Sequence, residues 1–140
     1  MTVRIIDKPQ VAFEPAARTS RQARRAGPGA SHSFEFWSGA SGQRYVHTVY
    51  SLIECPELPR ANYALVHRDA AGRRHILRIG RLTQKAASLN LAHLRHNGAK
   101  LGANEVHVHL LARSDEQRRQ IELDLCAALG SEQCGPEAVA

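Results

Sequence analysis

Apolar and polar side chains alternate over residues 33–37 and again over 44–53, with a polar, glycine-containing stretch between them. That pattern predicts a β-hairpin. On its second strand Val46, Thr48, Tyr50 and Leu52 share one face, and Tyr45, His47, Val49, Ser51 and Ile53 share the other. Pro56 and Pro59 then preclude regular pairing. Residues 62–68 and 74–80 predict a second hairpin around the turn at 69–73. Thr83 is placed to cap a helix reaching Arg95 or His96, with Ala87, Leu91 and Leu94 on one stripe and Asn97-Gly98 as its stop. A further strand follows over 105–111, sending Val106, Val108 and Leu110 to the core and Glu105, His107 and His109 the other way. Ser114 and Gln117 have the spacing of a capping box. The helix they open carries Ile121, Leu125, Ala128 and Leu129 on its apolar stripe and ends at Gly130.

These elements predict an α+β domain: an antiparallel sheet of two hairpins plus one further strand, packed with two main helices. The domain spans residues 33–130, preceded by a flexible arm over 1–32 and followed by a loose tail over 131–140. The arm carries too little apolar surface to offset the ordering of its backbone, and Gly27-Pro28-Gly29 marks the boundary.

Charge changes the picture mainly at the arm. The chain has 19 Lys and Arg against 13 Asp and Glu, a formal +6. Six basic and two acidic residues fall within 1–32, so most of the excess sits there. Arg18, Arg21, Arg24 and Arg25 lie within it, which suits phosphate binding by counterion release and solubility equally. No apolar run approaches the roughly 18 residues a membrane span needs, and Arg4, Asp7 and Lys8 interrupt the apolar start. No membrane partner is expected, and a cytoplasmic location is. Cys55, Cys126 and Cys134 show no metal or redox spacing and read as reduced thiols.

The order strand, turn, strand ending Ile79-Gly80, helix with Arg95, strand, helix with Glu122 resembles the GIY-YIG nuclease domain, over about residues 62–129. The resemblance implies a metal-dependent phosphodiester endonuclease. Tyr63 matches the tyrosine of the first motif, and Ile79-Gly80 matches the tail of the second. Arg95 is the counterpart of the arginine that contacts the scissile phosphate, with His93 or His96 to supplement it. Glu122 matches the ligand of one magnesium or manganese ion. Such a cut needs charge neutralised at the phosphate, a metal to orient water and a group to move a proton. Tyr63, Arg95 and Glu122 supply those roles if they converge on one hollow. The chain also departs from the family: Arg78 stands where a tyrosine is expected, Ala61-Asn62 replace glycine-isoleucine, and Arg95 lies farther past Gly80 than usual. An active enzyme and an inactive relative both remain open.

Taken singly, Tyr63 reads sooner as a packing residue than as a catalytic one, Arg95 as a solvated helix end and Glu122 as an exposed helical position. The histidine pairs His93/His96 and His107/His109 have ligand-like spacing, but no pattern makes them meet, and zinc is not expected. Two non-enzymatic readings stand beside the nuclease. Arg68, Arg73, Arg74, Arg78 and Arg81 crowd the second hairpin, with Arg74 and Arg78 on one face by alternation. Together with Arg24 and Arg25 they suit a surface that tracks the phosphates of DNA or RNA. Phe34, Phe36, Trp37, Tyr45 and Tyr50 suit either an extension of the core or an exposed patch for a protein partner.

Overall fold

The computed structural model describes residues 33–134. The arm over 1–32, including Arg24 and Arg25, and the tail beyond residue 134 lie outside the described residues. Five strands and two helices follow as β1 (Ser33–Ser38), β2 (Arg44–Ser51), β3 (Ala61–Arg68), β4 (Arg74–Leu82), α1 (Ala87–Leu101), β5 (Glu105–His109) and α2 (Asp115–Leu129). They form the expected α+β domain around a five-stranded antiparallel sheet in the order β1-β2-β5-β3-β4. The late strand β5 lies between the two hairpins. Val108 is opposite Thr48 on one side and Tyr63 on the other.

Each face of this sheet carries a helix over its central strands. Tyr63, Leu65, Leu82, Val106 and Val108 pack with Leu94 under α1. Tyr45, Ala64, Val66 and Ile79 pack with Ile121, Leu125 and Cys126 under α2. Strand side chains alternate between faces, so each hairpin contributes to two separate cores. That arrangement also buries His107 and His109, which a sheet with one wet face would expose.

Helix α1 starts and stops later than its periodicity predicts. Ala86, not Thr83, is its first boundary, and it makes no side-chain cap. The entry is fixed by Asn90, whose Oδ1 accepts from Gln84 N at 3.0 Å while its Nδ2 donates to the carbonyls of Leu58 and Gln84 at 2.9 and 3.0 Å. The helix also runs through Asn97-Gly98. Asn97 Nδ2 turns back to the His93 carbonyl, Gly98 is buried against Leu52, and Gly102 ends the helix in the left-handed conformation at φ 85°.

Helix α2 begins as expected, with Ser114 Oγ accepting from Gln117 N at 3.0 Å. Its inward stripe is Ile121, Glu122, Leu125 and Cys126, while Ala128 and Leu129 are exposed. Strand β5 stops at His109, so Leu110 leaves the core and stands exposed. No helix among the described residues is long and apolar enough to cross a membrane.

Two of the cysteines differ from expectation. Cys126 and Cys134 form a disulfide with Cα atoms 5.9 Å apart, because the chain reverses after Gly130 and a short 3-10 turn, Ser131–Gln133. Cys134 then bridges Ile79 alongside β4, so residues 131–134 are fastened rather than loose. Cysteine usage therefore no longer argues for a reducing compartment. Cys55 is free and buried, and burial pushes its thiol up to about 11. A disulfide closing so short a loop is worth about 2–3 kcal/mol. Reduction, or Cys134→Ser, is expected to lower the free energy of urea unfolding by about 2 kcal/mol. Amide exchange should quicken at residues 131–134 before it does in β5.

Candidate functional site

Tyr63 sits on the α1 face of β3 and is 4% exposed. Its ring lies over Gly80 on the neighbouring strand, where a Cβ would meet the phenol oxygen at 2.6 Å. Glycine at position 80 is thus required by the tyrosine's place. The phenol meets His93 Nε2 at 3.1 Å, and the two rings stand edge to face at 5.9 Å. Asn97 Nδ2 lies 3.3 Å from His93 Nδ1. An amide nitrogen only donates, so Nδ1 accepts and Nε2–H is the donor to the phenol oxygen. Both imidazole nitrogens are thereby engaged.

His93 also lines an open cleft of about 450 Å³ between the end of β4, the segment after it and the first half of α1. Arg81, Thr83, Gln84 and Asn90 complete its polar wall. Tyr63 stands behind that wall rather than in it.

Glu122 belongs to the opposite layer. It projects from α2 and is 2% exposed, with Oε1 accepting from Arg81 Nε at 2.5 Å. Arg95 is elsewhere again: its Nη2 donates to the carbonyls of Ile53 and Cys55 at 3.1 and 3.4 Å, pinning the segment after β2 to α1. Two residues along a helix turn a side chain by about 200°, which separates Arg95 from His93. The expected hollow shared by Tyr63, Arg95 and Glu122 is not formed, because α1 and α2 cover different faces of the sheet.

That placement bears on the metal. Magnesium and manganese want several oxygen ligands with room for water. The protein side offers one carboxylate, buried and already bonded to a guanidinium, so these residues do not fit such an ion. Among the described residues no group of three or more His, Cys, Asp or Glu side chains is arranged to hold a metal. The pairs His93/His96 and His107/His109 are also divided between the two faces of the sheet.

The arginine surface is largely paired. Arg74 binds Glu35 and lies 4.8 Å over the Trp37 ring. Arg68 binds Glu105 at 2.7 Å, Arg73 binds Asp69 at 3.2 Å, and Arg81 binds Glu122. Arg74 and Arg78 do not share a face. A β-bulge shifts the register between Leu65 and Val66, so Arg78 pairs with Leu65 while Ile76 pairs with Val66. Arg78 is turned to the α1 face, half-buried, and its Nε has no hydrogen-bond partner among the described residues. The aromatic residues divide too. Tyr45 is 8% exposed in the α2-face core, while Phe34 and Phe36 are 63% and 51% exposed.

Comparison with protein-family models, with curated proteins and with solved structures finds no match. The site is therefore read from its own geometry.

One polar constellation was not expected: His47, His107 and His109, all buried on the α2 face of the sheet. His107 accepts from Trp37 Nε1 at 3.0 Å and contacts Glu105 Oε1 through Nε2 at 2.9 Å. His47 and His109 donate from Nδ1 to the carbonyls of Tyr45 and Val46 at 2.9 and 2.7 Å. The alternation at 45–53 and 105–109 held that signal, but only the adjacency of β2 and β5 joins the three. Burial, with the neighbouring histidines, lowers His47 to about 4, and burial lowers His107 as well. A folded pKa below the unfolded value means the folded chain binds fewer protons. The stability His47 contributes is thus full above about pH 6.5 and is lost as pH falls from there toward 4. Urea unfolding is expected to weaken by roughly 2 kcal/mol more between pH 7.5 and 4.5 in the parent chain than in His47→Gln. Equal pH dependence of the two would contradict a neutral, buried His47.

Proposed function

We propose that this chain is a GIY-YIG-like protein that binds nucleic acid without cutting it, a degenerate relative of the nuclease rather than an active enzyme. The observation that carries the reading is the commitment of Glu122 to Arg81, on the other side of the sheet from Tyr63. The resemblance makes that carboxylate a metal ligand, and here it serves as the partner of the half-buried Arg81 guanidinium. Tyr63 and His93 are likewise engaged with each other, and Arg95 with backbone carbonyls. No step of phosphodiester hydrolysis is derived from such a set.

Binding is supported by the formal +6 charge and by the open cleft, where the side chains of Arg81, Thr83 and Gln84 stand as hydrogen-bonding groups for phosphate or sugar. The paired arginines of the second hairpin add less positive potential than their number suggests. Affinity in this reading is modest and governed by salt.

The test uses fluorescently labelled DNA and RNA, single-stranded and duplex, by anisotropy, and plasmid with magnesium, manganese or chelator for cleavage. Between about 50 and 200 mM salt, duplex binding is expected to weaken at least tenfold and single-strand binding at least about sevenfold, the signature of two or more neutralised phosphates, with no metal-dependent product. Metal-dependent cleavage abolished by Glu122→Gln would establish the nuclease instead. Absence of binding to every nucleic acid would end the proposal.

A further inference from the structure

We infer that the surface of β1 around Phe34 and Phe36, which the other described residues leave exposed, is a stacking platform for the bases of a single-stranded nucleic acid, with Phe34 and Phe36 as the platform and Arg44 over the Phe36 ring. This rests on the nucleic-acid reading above and adds a site that the cleft does not contain.

Alternation along β1 decides which way its side chains point. Trp37 faces the α2 side, where it is partly buried and donates to His107. Glu35 binds Arg68 and Arg74, as its place on the same side of the strand as Trp37 requires. Phe34 and Phe36 must therefore face the other way, on the side α1 covers over β3, β4 and β5. Over β1 that cover ends. Neither phenylalanine belongs to either core, and they remain 63% and 51% exposed.

Two residues apart on a strand, the rings stand about 7 Å from each other, room for one base on each. Arg44, the first residue of β2, places its Cζ 4.3 Å from the Phe36 centroid. Alternation puts Val46 and Thr48 on this side of the sheet as well, both half-buried. Among the described residues, Arg44 is the one strand residue of the first hairpin bearing a formal charge that alternation places on this face with the two rings. The surface thus combines the exposed ring of Phe34, the ring of Phe36 with the Arg44 guanidinium over one of its faces, and no carboxylate of its own strands. A peptide strand needs no aromatic platform and a duplex hides the faces of its bases. An unpaired strand offers both the π-surface and the phosphate charge that this patch complements.

The experiment compares the full-length chain with Phe34→Ala/Phe36→Ala, Phe34→Leu/Phe36→Leu and Arg44→Ala. Anisotropy is measured on one labelled oligonucleotide, single-stranded and as its duplex. Both side chains lie at the surface, so unfolding curves should coincide and serve as the control for folding. The alanine pair is expected to weaken single-strand binding at least tenfold while leaving duplex binding unchanged. The leucine pair, apolar but without π-faces, should lose nearly as much.

Unchanged single-strand affinity in the alanine pair, with the parent chain binding, overturns this site and leaves the proposed function standing. Full affinity in the leucine pair overturns stacking. A parent chain that binds no nucleic acid removes both proposals together. A parent dimer in sedimentation that the alanine pair converts to monomer assigns the face to a second copy, and that too overturns the platform.

Discussion

The central strand β5 constrains everything else. It is the last of the five strands in sequence yet lies in the middle of the sheet, hydrogen-bonded to β2 on one side and β3 on the other. Val106 and Val108 point to one helix and His107 and His109 toward the other, all four within 5% exposure. A strand buried on both faces divides its domain into two cores that share backbone but not side chains. Residues one apart in sequence therefore end in different environments. Tyr63 and Ala64, or Gly80 and Arg81, illustrate this directly.

That division decides the chemistry. The Tyr63 phenol lies on the α1 face and the Glu122 carboxylate on the α2 face, so the sheet stands between them. Each has a local partner, Tyr63 in His93 and Glu122 in Arg81. A carboxylate this deeply buried is costly without a counter-charge, and removing one member of such a pair exposes the full penalty on the other. Arg81 is at once the neutralising partner of Glu122 and part of the cleft wall. It links the α2 core to the candidate binding surface.

Much of the fold was legible because local rules decide it. Both hairpins followed from alternation and turn residues, and Ser114 with Gln117 marked the start of α2 correctly. What was not legible depends on distant contacts. Nothing in residues 105–109 says which strands they join, so the burial of His107 and His109 could not be anticipated. Thr83 looked like a cap until Asn90, seven residues on, took over the loop before α1. The bulge opposite Leu65 separated Arg74 from Arg78, and alternation alone does not reveal a bulge. Cys126 and Cys134 met only because Gly130 turns the chain back. Among the site residues, Glu122 and Tyr63 stood out by type and position, but whether they converge is a property of the sheet's layering.

The most direct measurement is a double-mutant cycle in urea unfolding over Arg81→Met, Glu122→Gln and the pair, with Tyr63→Phe and Glu122→Gln as the comparison cycle. A closed ion pair in its own core predicts a coupling of about 1–3 kcal/mol between positions 81 and 122, and additivity within about 0.5 kcal/mol between 63 and 122. Strong coupling of Tyr63 to Glu122, with Arg81 indifferent, would contradict the account. It would place the phenol and the carboxylate in one site after all.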